Sequence, residues 1–120
     1  MSLDIDIGFL EKPKGLEGLL RKNRYELVNK DGYEVYEKIG KTWPTLYYFG
    51  DFVPDPTGNI DWEEMGFKVV SELNINYPYN DADSFEEAEK LVKIIAKKFN
   101  CVVYYPSSED YFISEDFKQV

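Results

Sequence analysis

The stretch "FKVVSELNINY", residues 67–77, constrains the fold more than any other. Its odd positions read Phe67, Val69, Ser71, Leu73, Ile75, Tyr77 and its even positions Lys68, Val70, Glu72, Asn74, Asn76. A period of two puts one set on a buried face and the other toward water, which predicts a half-covered strand. An amphipathic helix follows at once. Phe85, Ala88, Leu91, Val92, Ile95 and Phe99 recur at helical spacing, and Ser84 with Glu87 reads as an S-x-x-E capping box. Glu86, Glu87 and Glu89 crowd its start and Lys93, Lys97 and Lys98 its end, as the macrodipole favours, with Asn100 expected to close it in the left-handed region. A half-covered strand beside a one-sided helix is the unit from which α+β layers are built.

The remaining elements follow the same two periods. "DIDIGFL" (4–10) alternates and predicts a first strand. "GLEGLLRKNR" sets Leu16, Leu19 and Leu20 on one side of a short helix, and "RYELVNKDGYEVYEKI" reads as a hairpin turning at Lys30-Asp31-Gly32. Tyr25, Leu27, Tyr33, Val35 and Ile39 are expected on that hairpin's apolar face. "TLYYFGDFV" (45–53) is a strand closed by Pro54 and Pro56; Asp61 and Glu64 suit a single capped helical turn; "CVVYY" and "YFIS" form a last strand pair. The order β-α-β-β-β-β-α-β-β predicts a single globular domain, 1–120, of the α+β class. Its sheet is antiparallel-rich with two helices packed on one face. Removing the inserted hairpin leaves β-α-β-β-α-β, a ferredoxin-like core.

Composition then narrows the chemistry. The chain has no histidine, which removes Ser-His-Asp and Cys-His nucleophiles, histidine zinc sites and the histidine base. The single cysteine, Cys101, opens an apolar strand beyond a helix C-terminus, where the dipole disfavours a thiolate. It is expected to be a buried structural side chain. One cysteine makes no internal disulfide, and the opening "MSLDIDIGFL" has aspartates where a signal peptide needs bases, so a cytoplasmic location is expected. No apolar run is long enough for a membrane span, and the eight glycines form neither a P-loop nor a dinucleotide fingerprint, so no membrane role and no cofactor are expected. Oxygen-bearing residues crowd 51–64, but an EF-hand register begun at Asp55 puts Ile60 where glycine belongs and Gly66 where the bidentate acid belongs. No metal site is expected there.

Charge and aromatic content carry the functional expectation. Residues 1–50 balance eight bases against eight acids; residues 51–120 hold fifteen acids and six bases, so the whole net charge of −9 falls in the second part. That excludes a phosphate-backbone footprint, hence nucleic acid, and favours a basic protein partner. Ten Tyr, eight Phe and two Trp include the adjacent pairs Tyr47-Tyr48 and Tyr104-Tyr105, of which one member each must face away from its neighbour. The candidate binding residues are Tyr48, Asp51, Asp55, Asp61, Tyr77, Tyr79, Asp81, Tyr105, Glu109 and Asp110. They predict a small acidic, non-enzymatic interaction module of inhibitor or immunity type, monomer or homodimer, because aromatics anchor interfaces. The alternative is a small-molecule-binding or carboxylate-based enzymatic domain, which predicts a cavity where a tyrosine and a carboxylate meet.

Overall fold

The computed structural model describes residues 2–51 and 60–118. Its elements run β1 (Ser2–Phe9), α1 (Leu16–Lys22), β2 (Tyr25–Asn29), β3 (Glu34–Lys38), β4 (Thr45–Phe49), β5 (Ser71–Pro78), α2 (Ala82–Lys98), β6 (Cys101–Tyr105), β7 (Asp110–Ile113) and α3 (Ser114–Lys118). The strands make one seven-stranded sheet in the order β2-β3-β4-β5-β1-β6-β7, and every neighbouring pair is antiparallel. The chain is therefore an α+β protein.

β1 and β5 form the centre because both alternate cleanly. Their register sets Ile5 against Ile75 and Ile7 against Leu73 on one face, with Asp6 against Asn74 and Asp4 against Asn76 on the other. The first face meets α2, whose Ala88, Leu91, Val92 and Ile95 are buried with Ile5, Ile7, Phe9, Leu73, Ile75, Cys101 and Val103. Each such aliphatic side chain contributes about 1.5–3 kcal/mol on burial. Leu16 and Leu20 of α1 belong to the same cluster. α3 packs on α2, β6 and β7.

Several local expectations are corrected. The strand expected over 67–77 begins at Ser71: Gly66, at φ +94°, turns the chain, and Phe67 N–H bonds back to the Trp62 carbonyl at 2.9 Å. The cap of α2 is Asp81 rather than Ser84. The Asp81 carboxylate accepts from the Ser84 N–H (3.2 Å) and hydroxyl (2.8 Å), which starts the helix at Ala82. Its end is Phe99 in extended conformation, so Asn100 supplies no left-handed cap. In the β2–β3 hairpin, an irregularity between Leu27 and Asn29 shifts the register so that Leu27 faces Tyr36. A one-residue slip exchanges the faces of a strand. Tyr25 and Tyr36 are accordingly buried, while Tyr33 and Ile39 are exposed. The last strand stops at Ile113, and Ser114–Lys118 form a short helix that the sequence reading did not anticipate.

Candidate functional site

The second face of the sheet, opposite α2, gathers the chemistry. Cross-strand register lines up Tyr47, Asn74, Asp6, Tyr104 and Tyr111 in one row across β4, β5, β1, β6 and β7, and Thr45, Asn76 and Asp4 in the next. At the centre two amides clamp two carboxylates. Asn74 Nδ2 donates to Asp6 Oδ1 at 2.8 Å and to Asp4 Oδ1 at 3.3 Å, and Asn76 Nδ2 donates to Asp4 Oδ1 at 2.8 Å. None of Asp4, Asp6 and Glu72 forms an ion pair among the described residues.

Asp6 is only 7% exposed. Burial removes the water that its charge needs. The Asn74 amide offsets part of that loss, and the nearby Glu72 and Asp4 charges oppose ionisation further, so the Asp6 carboxyl is pushed up to about 7. Glu72 is also raised by burial, eased by the Trp62 indole. That indole N–H is buried without a fully formed hydrogen bond.

Aromatic rings flank the polar centre on both sides. Tyr33 lies 6.3 Å from Tyr47 and 5.2 Å from Phe49, ring centre to ring centre, on the β3–β4 side. On the β6–β7 side, Trp62 meets Tyr104 edge-on at 6.4 Å, and Phe67 meets Tyr111 at 5.6 Å. Trp62 reaches this face because Gly8 leaves room. A Cβ at Gly8 would stand 2.6 Å from Val69 Cγ2 and 3.1 Å from the indole ring. The residues 60–70 thus lie over the end of β1, burying Trp62 to 2% exposure above Gly8.

The residues that the sequence singled out are distributed differently. Of the tyrosine pairs, Tyr47 and Tyr104 belong to the second face, whereas Tyr48 and Tyr105 turn toward the core: Tyr48 stacks edge-on with Phe9 at 6.2 Å, and Tyr105 donates its hydroxyl to Glu89 of α2 at 3.2 Å. Tyr77 is buried against Phe85. Burial raises all three phenols, so they stay protonated. Tyr79 is exposed just before α2, and Asp81 is consumed as the cap, its carboxyl held below the usual range by the Ser84 hydroxyl and N–H. Asp51 is exposed, 3.8 Å from Lys12. Asp61 accepts from the Glu64 N–H at 3.1 Å, capping a turn that does not lengthen into a helix. Glu109, at φ +59°, ends the exposed β6–β7 turn, Asp110 opens β7 opposite Tyr105 and is exposed too, and Asp55 lies outside the described residues. These positions occupy separate elements.

Asp4, Asp6, Asn74 and Asn76 were missed. Their signal is present as two i, i+2 pairs, "DID" and "NIN", but it becomes a site only once β1 is paired with β5. Cys101 is fully buried, and its thiol is pushed up to about 12 by that burial, consistent with a packing role. Among the described residues no cluster of three or more His, Cys, Asp or Glu side chains could hold a metal ion, and no helix is long and apolar enough to cross a membrane.

Fold and face together describe an antiparallel α+β sheet protein with a carboxylate–amide centre between aromatic groups. Comparison with family models, with curated proteins and with solved structures returned no match.

Proposed function

We propose that this chain is a non-enzymatic interaction module, inhibitor- or immunity-like, whose second sheet face docks a basic protein. The observation that carries the reading is the Asp4–Asp6–Asn74–Asn76 array, set between aromatic groups on a face that α2 leaves uncovered. Asp4 and Glu72, half-buried and without an ion pair among the described residues, offer negative charge that an incoming Lys or Arg complements above the buried Asp6, while Tyr47, Tyr104 and Tyr111 supply the anchoring area. The strand order β4-β5-β1-β6, with α1 and α2 between strands in sequence, supports reading the scaffold as a ferredoxin-like core with both helices on one face, extended by β2–β3 and β7. A cytoplasmic monomer or homodimer, working without nucleic acid, membrane or cofactor, completes the proposal.

The test is affinity capture from the source lysate with the tagged protein and its Asp4→Asn/Asp6→Asn variant, followed by calorimetric titration of the purified candidate. One basic protein should bind the parent, release in about 0.5 M salt where the Debye length falls to about 4 Å, and ignore the variant. Equal binding to both chains would refute the assignment of this face. A second reading, small-molecule binding, rests on a separate observation: a cleft in which Tyr25 and Glu87 meet.

A further inference from the structure

A second feature lies on the other side of the molecule, where β2 and β3 meet α2. A cleft of about 370 Å³ opens there, a volume in the range of small-molecule sites. Among the described residues four cations line it, Arg24, Lys38, Lys41 and Lys90, against one acid, Glu87. This runs against the charge of the chain as a whole, −9 with only fourteen bases. Glu87 is already neutralised by Lys38 at 3.2 Å, a bridge that ties the hairpin to α2. Arg24, Lys41 and Lys90 make no ion pair among the described residues, although Lys41 draws Asp81 electrostatically. The cleft therefore holds a local positive excess. Its remaining wall is apolar, from Ile39, Leu91 and Ile94.

An independent observation points to a ligand. Tyr25 lines the same cleft and is 1% exposed, yet its hydroxyl is buried with no hydrogen-bond partner. Such a group costs about 1–3 kcal/mol to leave unmet, and a tyrosine kept only for packing would lose nothing as phenylalanine. Lys38 Nζ, paired with Glu87, sits over the Tyr25 ring face 4.8 Å from its centre, which fixes the ring at the cleft wall. Burial and the Glu87 charge keep the phenol protonated, hence a donor. A protonated hydroxyl in a cleft lined by Arg24, Lys41 and Lys90 fits an anionic oxygen, and the apolar wall fits the body that carries it.

We infer that the cleft between the β2–β3 hairpin and α2 binds a small organic anion, an apolar body bearing a carboxylate or phosphate. Its charged end faces the Arg24–Lys41–Lys90 rim, and the Tyr25 hydroxyl donates to it. This site is independent of the protein-docking face, because it uses neither β1 nor β5.

The experiment is a two-dimensional amide NMR titration of the full chain at pH 7 and low salt. Phenyl phosphate and benzoate are the probes; inorganic phosphate and benzyl alcohol isolate charge and apolar body. Phenyl phosphate or benzoate should give saturable shifts at Arg24, Tyr25, Lys38, Ile39 and Lys90, with both controls weaker. Lys41→Gln/Lys90→Gln, which alters two exposed side chains, should weaken the better probe by about five- to tenfold. Tyr25→Phe should raise the thermal midpoint yet weaken the same probe about threefold or more, a combination that a merely structural hydroxyl does not produce. The inference is overturned by any of three results: no saturable shift at these amides up to about 20 mM of either probe, inorganic phosphate binding as well as phenyl phosphate, or unchanged affinity in both variants.

Discussion

Replacing Asp6 by asparagine should make the protein more stable by about 2–3 kcal/mol at pH 8 and less stable by about 1–2 kcal/mol at pH 4. In the native sheet the Asp6 carboxyl titrates near 7, against 3.8 for the ordinary group. As pH rises from about 4, the unfolded chain gives up this proton while the folded chain retains it until about 7. The folded state therefore binds more protons across that window, and stability falls with rising pH. A difference of roughly 3 units at 1.36 kcal/mol each sets a ceiling of about 4 kcal/mol, fully lost above about pH 8. Asp6→Asn removes the charge while keeping the oxygen that accepts from Asn74 Nδ2. Its new amide protons lack assured partners, at a cost of about 1–2 kcal/mol, so the net gain at pH 8 is about 2–3 kcal/mol. Asp4 and Glu72, the charges that oppose Asp6 ionisation, would feel the relief as well. Urea unfolding of both chains at pH 4.5, 6 and 8 reads the difference directly, because every other titrating group is common to the two. A wild-type-minus-variant difference constant within about 0.5 kcal/mol from pH 4.5 to 8 would refute the reasoning. The same group links pH to docking. A partner cation that restores the Asp6 carboxylate releases about half a proton at pH 7, so the calorimetric heat should vary with the ionisation enthalpy of the buffer.

Gly8→Ala forces a methyl into the space held by Val69 and the Trp62 ring, and should cost about 1–3 kcal/mol by thermal or urea unfolding. The accompanying change in Trp fluorescence would place the damage at the segment over β1; an unshifted transition would mean that residues 60–70 do not rest on Gly8. Cys101, with its thiol near 12 and fully buried, should resist iodoacetamide at pH 8, where about one thiol in ten thousand is ionised. The label should enter once denaturant opens the core, and equally fast native labelling would contradict the packing. Asp81→Ala removes the acceptor for the Ser84 N–H and hydroxyl. Amide exchange should then quicken over the first turn of α2 and not at Leu91–Ala96; uniform quickening would show the cap to be more than local.

What could be read from the sequence, and what could not, divides by the range of the interaction that fixes each feature. β5 and α2 announce themselves because burial on one side imposes a period on contiguous residues; Leu73, Ile75, Leu91 and Ile95 point inward whatever their partners are. Cys101 was legible for a related reason, since missing chemistry is a property of composition. The hairpin face was misread because a single irregularity at Leu27–Asn29 inverts the alternation, and neither residue type forces one. α3 escaped because five residues are too few to display a helical period. The carboxylate–amide centre escaped for the deepest reason: Asp6 and Asn74 stand 68 residues apart, and only the β1–β5 register brings them to 2.8 Å. The tyrosine pairs show the same limit. Sequence alone says that one ring of each pair faces outward, and register chooses Tyr47 and Tyr104 over Tyr48 and Tyr105. A sheet face is two-dimensional, whereas a sequence reports one dimension of it. The elements could therefore be found strand by strand, but a site made of neighbours across strands exists only once the strands are ordered.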